Sequence, residues 1–187
     1  ARAGMWEQAL RTAEAIEWAR ERAEALGAIA EAMARAGMTQ QAQEAFHQAL
    51  RTAEAIEWAW ERKSALRAIA EAMARAGMTQ QALWEQALRT AEAIKEPREQ
   101  ARALGAIAEA MARAGMTQQA LWEQALRTAE AIKEPREQAR ALGAIAEAMA
   151  RAGMWEQALR TAEAIKEPRE QARALGAIAE AMARAGM

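Results

Sequence analysis

The sequence predicts an all-α protein, an α-solenoid of stacked antiparallel helix pairs. Three observations carry that prediction: an alphabet of good helix formers, a unit that recurs five times, and apolar residues spaced at three and four within each unit. The 187 residues are mostly Ala, Glu, Arg, Leu, Gln and Met, side chains that lose little rotamer freedom in a helix. The segment AlaLeuArgThrAlaGluAlaIle places its Leu at Leu10, Leu50, Leu88, Leu126 and Leu159, with spacings of 40, 38, 38 and 33 residues. Residues 82–116 and 120–154 are identical over 35 positions. Surface positions are copied as faithfully as core ones, which points to engineering, consensus construction or very recent duplication.

The units read as 1–37, 38–77, 78–115, 116–153 and 154–187, together one repeat domain over 1–187. The last unit shows the pattern most plainly. Trp155, Ala158, Leu159, Ala162 and Ile165 form one stripe on a first amphipathic helix, helix A. LysGluPro follows, and Pro168 suits the first turn of helix B because its missing N–H would have been unpaired there. Leu175, Ile178, Ala179 and Met182 are joined on helix B by Ala174, Ala177 and Ala181. So wide an apolar arc needs cover on two sides, which neighbouring units supply.

Each unit's helix B ends in AlaArgAlaGlyMet, where the Gly is placed to take the left-handed conformation that closes a helix. The next Met can fold onto the Met one turn earlier, as Met187 onto Met182. Glu31 with Arg35, and its counterparts Glu71 with Arg75, Glu109 with Arg113, Glu147 with Arg151 and Glu180 with Arg184, stand at i, i+4. Each such surface pair adds about 0.2–0.5 kcal/mol. Unit lengths differ only between the Gly-Met stop and helix A. There Thr39, Thr79 or Thr117 can cap a helix A lengthened backwards by five or seven residues. Phe46 lies four residues before Leu50, as Trp84 lies four before Leu88, so the buried face keeps its phase.

Paired helices in units of 33 to 40 residues, with a large aromatic opening helix A and small residues along helix B, resemble the tetratricopeptide repeat over essentially the whole chain. Trp84 and Leu88, Trp122 and Leu126, and Trp155 and Leu159 meet half of that family's helix A pattern. Its Gly and Tyr are missing, and Pro begins helix B rather than closing it. The resemblance implies a concave groove lined mainly by helix A that binds peptides or partner proteins, and the unequal unit lengths predict an open arc or right-handed superhelix rather than a ring.

Composition excludes much else. The chain has 25 basic and 26 acidic residues and a net charge of -1, so nothing draws it to nucleic acid or an anionic membrane. Cys, Tyr, Asp, Asn and Val are absent. Thiolate zinc sites, cysteine nucleophiles, Asp-based calcium loops and Ser-His-Asp triads therefore cannot be assembled. No catalytic, cofactor or metal residues are expected, and the chain reads as a soluble protein, cytoplasmic if natural.

Three features remain as candidates. Arg11, Arg51, Arg89, Arg127 and Arg160 form a ladder on the outward side of helix A, able to clamp carboxylates or phosphates. Glu14, Glu54, Glu92, Glu130 and Glu163, three residues further on, are placed to neutralise it as a solvated face. In the first two units GluTrpAla replaces LysGluPro, setting Trp18 and Trp58 at matching turns with Trp60 nearby. These tryptophans either pack between neighbouring turns or hold an apolar ligand or partner. His47, the sole imidazole, is expected in solvent with Glu44 as its hydrogen-bond partner. Gly27, Gly105, Gly143 and Gly176, inside helix B, are expected at an exposed rim, because Arg67 replaces them in unit two. Residues 1–5 repeat 183–187, so the ends match in sequence. That implies a ring, head-to-tail self-association, or a fragment of a longer array, and unequal unit lengths disfavour a strict ring.

Overall fold

The computed structural model describes residues 2–186. These form ten helices and no strand: α1 (Arg2–Glu14), α2 (Ala19–Arg35), α3 (Thr39–Glu54), α4 (Ala59–Arg75), α5 (Gln81–Glu92), α6 (Pro97–Arg113), α7 (Gln119–Glu130), α8 (Pro135–Arg151), α9 (Trp155–Glu163) and α10 (Pro168–Arg184). Each odd helix is a helix A and packs on the helix B that follows it. The chain is an all-α solenoid.

The two helix rows pack differently. The B helices form an unbroken row in which α2, α4, α6, α8 and α10 each touch the next. In the A row only α3, α5 and α7 pack side by side, and α1 and α9 stand off from it. Leu26, Leu66, Leu104 and Leu142 of the B helices sink into one continuous core with Leu50, Leu88 and the ring of Trp84.

Helix B stops as its sequence dictates. Gly37, Gly77, Gly115 and Gly153 all take positive φ, between 63° and 81°. Around the first of these, Met38 N–H donates to Met33 O and Gly37 N–H to Ala34 O, the paired bonds that satisfy the last carbonyls of a helix. The same pair closes α4, α6 and α8. Gly186 also has positive φ, whereas Gly4, in the same pentapeptide, lies inside α1. The shared pentapeptide is therefore helical at Gly4 and left-handed at Gly186, alike in sequence but not in conformation. The expected contact of Met187 with Met182 lies outside the described residues.

Helix starts divide between expectation and correction. Pro97, Pro135 and Pro168 occupy the first positions of α6, α8 and α10 as expected. The threonines do not cap: Met38 precedes α3, with Thr39 its first residue, and Gln80 and Gln118 precede α5 and α7. The connections consequently differ. Three residues join α2 to α3 and α8 to α9, and five join α4 to α5 and α6 to α7. Helix A is 16 residues long in α3, 12 in α5 and α7, and 9 in α9, where the ThrGlnGln segment is missing.

One polar device repeats at every A-to-B turn. A side chain one turn into helix B reaches back to the unpaired carbonyls closing helix A: Arg22 to Ile16 O, Arg62 to Ile56 O, Gln100 to Glu92 O, Gln138 to Glu130 O and Gln171 to Glu163 O. Arg62 also donates to Ala93 O of the next unit, at 3.1 Å.

Candidate functional site

The gaps in the A row are two equivalent clefts. The first, of about 470 Å³ between α1 and α3, is walled by Trp6, Leu10, Met33 and Met38, with Gln48 and Arg51 across from them. The second, of about 240 Å³ between α7 and α9, has the matching walls Trp122, Leu126, Met149 and Met154, with Gln157 and Arg160 opposite. Both follow from the short connection. Met38 and Met154 share one backbone conformation, φ −89° with ψ 57° and 58°, and each launches helix A at once.

Where the connection has five residues, the corresponding space is filled. Trp84 and Trp122 bury their rings and donate Nε1–H to the carbonyls of Met78 and Met116, each at 2.9 Å. This bond fastens the extended segment and lets α5 and α7 lie against the preceding helix A. Leu88, Met78 and Met116 are then buried, while Leu10, Met38, Leu126 and Met154 at the clefts stay half-exposed. Phe46, in the same position on α3, has no N–H to give.

All five ladder arginines are exposed, but only Arg51 and Arg160 line a cleft. Their neutralisation differs from expectation. Arg127 and Arg160 pair with the glutamate four residues before them, Glu123 at 3.9 Å and Glu156 at 3.2 Å. No ion pair joins a ladder arginine to the glutamate three residues after it among the described residues, and Glu14 instead accepts from Gln48 Nε2.

Trp18, Trp58 and Trp60 are 70%, 68% and 50% exposed, so packing between turns does not hide them. Trp18 and Trp58 are the residues immediately before α2 and α4. Arg20 sits over the Trp60 ring at 5.5 Å and ties the two turns together. His47 is half-buried, not in free solvent. Its Nδ1–H donates to Gln86 Oε1 at 2.7 Å across the α3/α5 contact, a partner from the next unit in place of the expected Glu44.

The B row carries its own charged joints. The i, i+4 pairs expected from the sequence are all present, from Arg35–Glu31 to Arg184–Glu180. Several of these glutamates also bridge units, which the sequence reading missed. Arg75 grips buried Glu31 through Nε and Nη2, and Arg151 reaches Glu109 at 3.4 Å. The Arg75 bonds hold the Glu31 carboxyl below its ordinary value despite burial. Glu147, the same position in unit four, is pushed up by burial, since Arg173 and Arg151 stand off at 3.7 and 4.0 Å.

The helix B glycines correct the exposed-rim reading. A Cβ on Gly105 would stand 3.1 Å from Ala144 Cβ, and one on Gly27 3.4 Å from Ile69 Cγ1, so these positions permit close helix crossing. Gly176 is exposed and meets nothing within 4 Å, as the rim reading expected. Gly105 and Gly143 line a polar groove of about 450 Å³ on the B face with Glu109, Glu147, Arg140 and Arg151. Among the described residues no group of three His, Cys, Asp or Glu side chains is placed to hold a metal ion, and no helix is long and apolar enough to cross a membrane.

No protein-family model matches the chain, and no curated protein matches it. A similar solved structure is the crystal structure of Ton1535 from Thermococcus onnurineus NA1, at 16% identity and a TM-score of 0.49, covering 95% of this chain and 75% of that one.

Proposed function

We propose that the chain is a non-catalytic, tetratricopeptide-like repeat scaffold that holds a partner peptide or protein segment along its A face. The pair of equivalent clefts carries this reading. Each joins a Trp, a Leu and two Met to one guanidinium, with Glu7 and Glu44 also lining the first and Glu123 the second; Arg51 and Arg160 are the groups that would take a carboxylate presented beside a large apolar side chain. Repetition of one such site at both ends of the array suits a ligand with two copies of that element, whose linkage would raise affinity. Faithful copying of the units fits a scaffold of consensus or recently duplicated origin better than a set of separately tuned sites.

Selection from a displayed peptide library tests it. The expected peptides pair an aromatic or aliphatic residue with Asp or Glu, and Arg51→Ala or Arg160→Ala weakens them about tenfold each. Failure to select any peptide, or selected peptides indifferent to both substitutions, would overturn the reading. The exposure of Trp18, Trp58 and Trp60 favours one further reading, an apolar ligand held at that edge, and a flat tryptophan fluorescence titration against apolar ligands would dismiss it.

A further inference from the structure

The two ends of the B row are open halves of the joint that recurs inside it. On α10, Leu175, Ala179 and Met182 are half-exposed or exposed, although their counterparts Leu104, Ala108 and Met111 on α6 are buried. On α2 the complementary set is uncovered: Ala25, Ile29 and Ala32 are half-exposed or exposed, whereas Ala103, Ile107 and Ala110 are buried. Each uncovered set is one that a neighbouring unit hides in the interior.

Sequence makes the two open faces partners. Helices α6, α8 and α10 are identical over their full length, and α2 shares with them the run AlaLeuGlyAlaIleAlaGluAlaMetAlaArg, residues 25–35. A second copy placing its α2 on α10 would therefore present to it, over that run, the same side chains that α8 presents to α6. The charges match as well. At two of the four joints inside the stack a glutamate on one helix B meets the arginine four residues further along on the next, Glu31 with Arg75 and Glu109 with Arg151. At the ends the corresponding groups are Glu180 on α10 and Arg35 on α2, 65% and 63% exposed.

We infer that copies of this chain associate head to tail, α10 of one seating on α2 of the next, with Glu180 meeting Arg35 of the neighbouring copy. The contact joins two different surfaces, so each copy added leaves a free face for the next and the array extends as a column. This stands apart from peptide binding in the A-row clefts and survives if that reading fails.

Sedimentation velocity and light scattering over a concentration series test it. The expected mass rises from 20.4 kDa through dimer and beyond without a plateau. Glu180→Arg alone and Arg35→Glu alone each weaken association by about tenfold or more through like-charge contact. Mixing the two variants restores it, since each joint then pairs Arg with Glu. Ala179→Arg, at a position exposed in the single chain, keeps the circular dichroism of the parent and remains at 20.4 kDa. A mass of 20.4 kDa at every concentration, a mass that stops at the dimer, or association untouched by the charge reversals would each overturn the inference.

Discussion

Trp84 and Trp155 occupy the same place in the repeat, four residues before the Leu of helix A, yet one is fully buried and the other half-exposed. The nearest sequence is shared, TrpGluGlnAlaLeuArgThrAlaGlu in both. What differs is the chain before it. Five connecting residues let Trp84 fold back under its own connection and bond Met78 O, whereas three place Trp155 directly at the start of α9. In this array the connection, more than the helix it leads to, decides whether neighbouring A helices pack along their lengths.

The largest test of that contrast is truncation. Trp84→Ala removes a ring with no solvent exposure and is expected to cost about 3–5 kcal/mol in denaturant unfolding. Trp155→Ala should cost roughly half of that or less, because its ring already meets water. Equal losses would break the comparison. A finer test keeps the volume and removes only the donor. Trp84→Phe leaves the Met78 carbonyl unpaired in a buried place, at about 1–3 kcal/mol. It should also hasten hydrogen exchange in residues 78–83 but not at the α2–α3 connection, where Phe46 stands naturally.

The smallest effect concerns charge at the first and last joints of the B row, α2 with α4 and α8 with α10. Glu31, held below its ordinary value by Arg75, contributes stability that is present above the usual carboxylate pKa and lost as pH falls through its lowered one. Glu147, raised by burial, has the opposite sign: its relative contribution is full below the ordinary value and fades as pH rises through the raised one. Carboxyl-resolved NMR titration should place Glu31 below and Glu147 above 4.5. Acidification should loosen the α2/α4 joint first, read by hydrogen exchange, and Arg75→Ala should abolish that sensitivity.

The sequence displayed what is periodic. Stripes at three and four, Pro at the start of helix B and Gly-Met at its end all mark the helices where they occur, and Gly37, Gly77, Gly115 and Gly153 turn as their spacing requires. It was silent on what depends on the distance between units. ThrGlnGln reads alike in units two, three and four, yet only in unit two is its Thr helical. The signal that separates them is the aromatic residue further along, Phe46 seven residues after its Thr against Trp84 and Trp122 five after theirs, and it becomes legible only once the indole N–H is given an acceptor. His47 with Gln86, Glu31 with Arg75 and the glycine crossings at Gly27 and Gly105 join residues 39 to 44 positions apart, and no local spacing marks them. The clefts were hidden for the same reason: a gap is a relation between helices and has no residue of its own.

One consequence is mechanical. A stack continuous along its B edge and interrupted twice along its A edge has uneven bending stiffness, compliant at the first and last steps and stiff across α3, α5 and α7. Flexure would concentrate at those two steps, pivoting on the B edge, so whatever lodges on the A side works against an elastic hinge instead of a rigid wall.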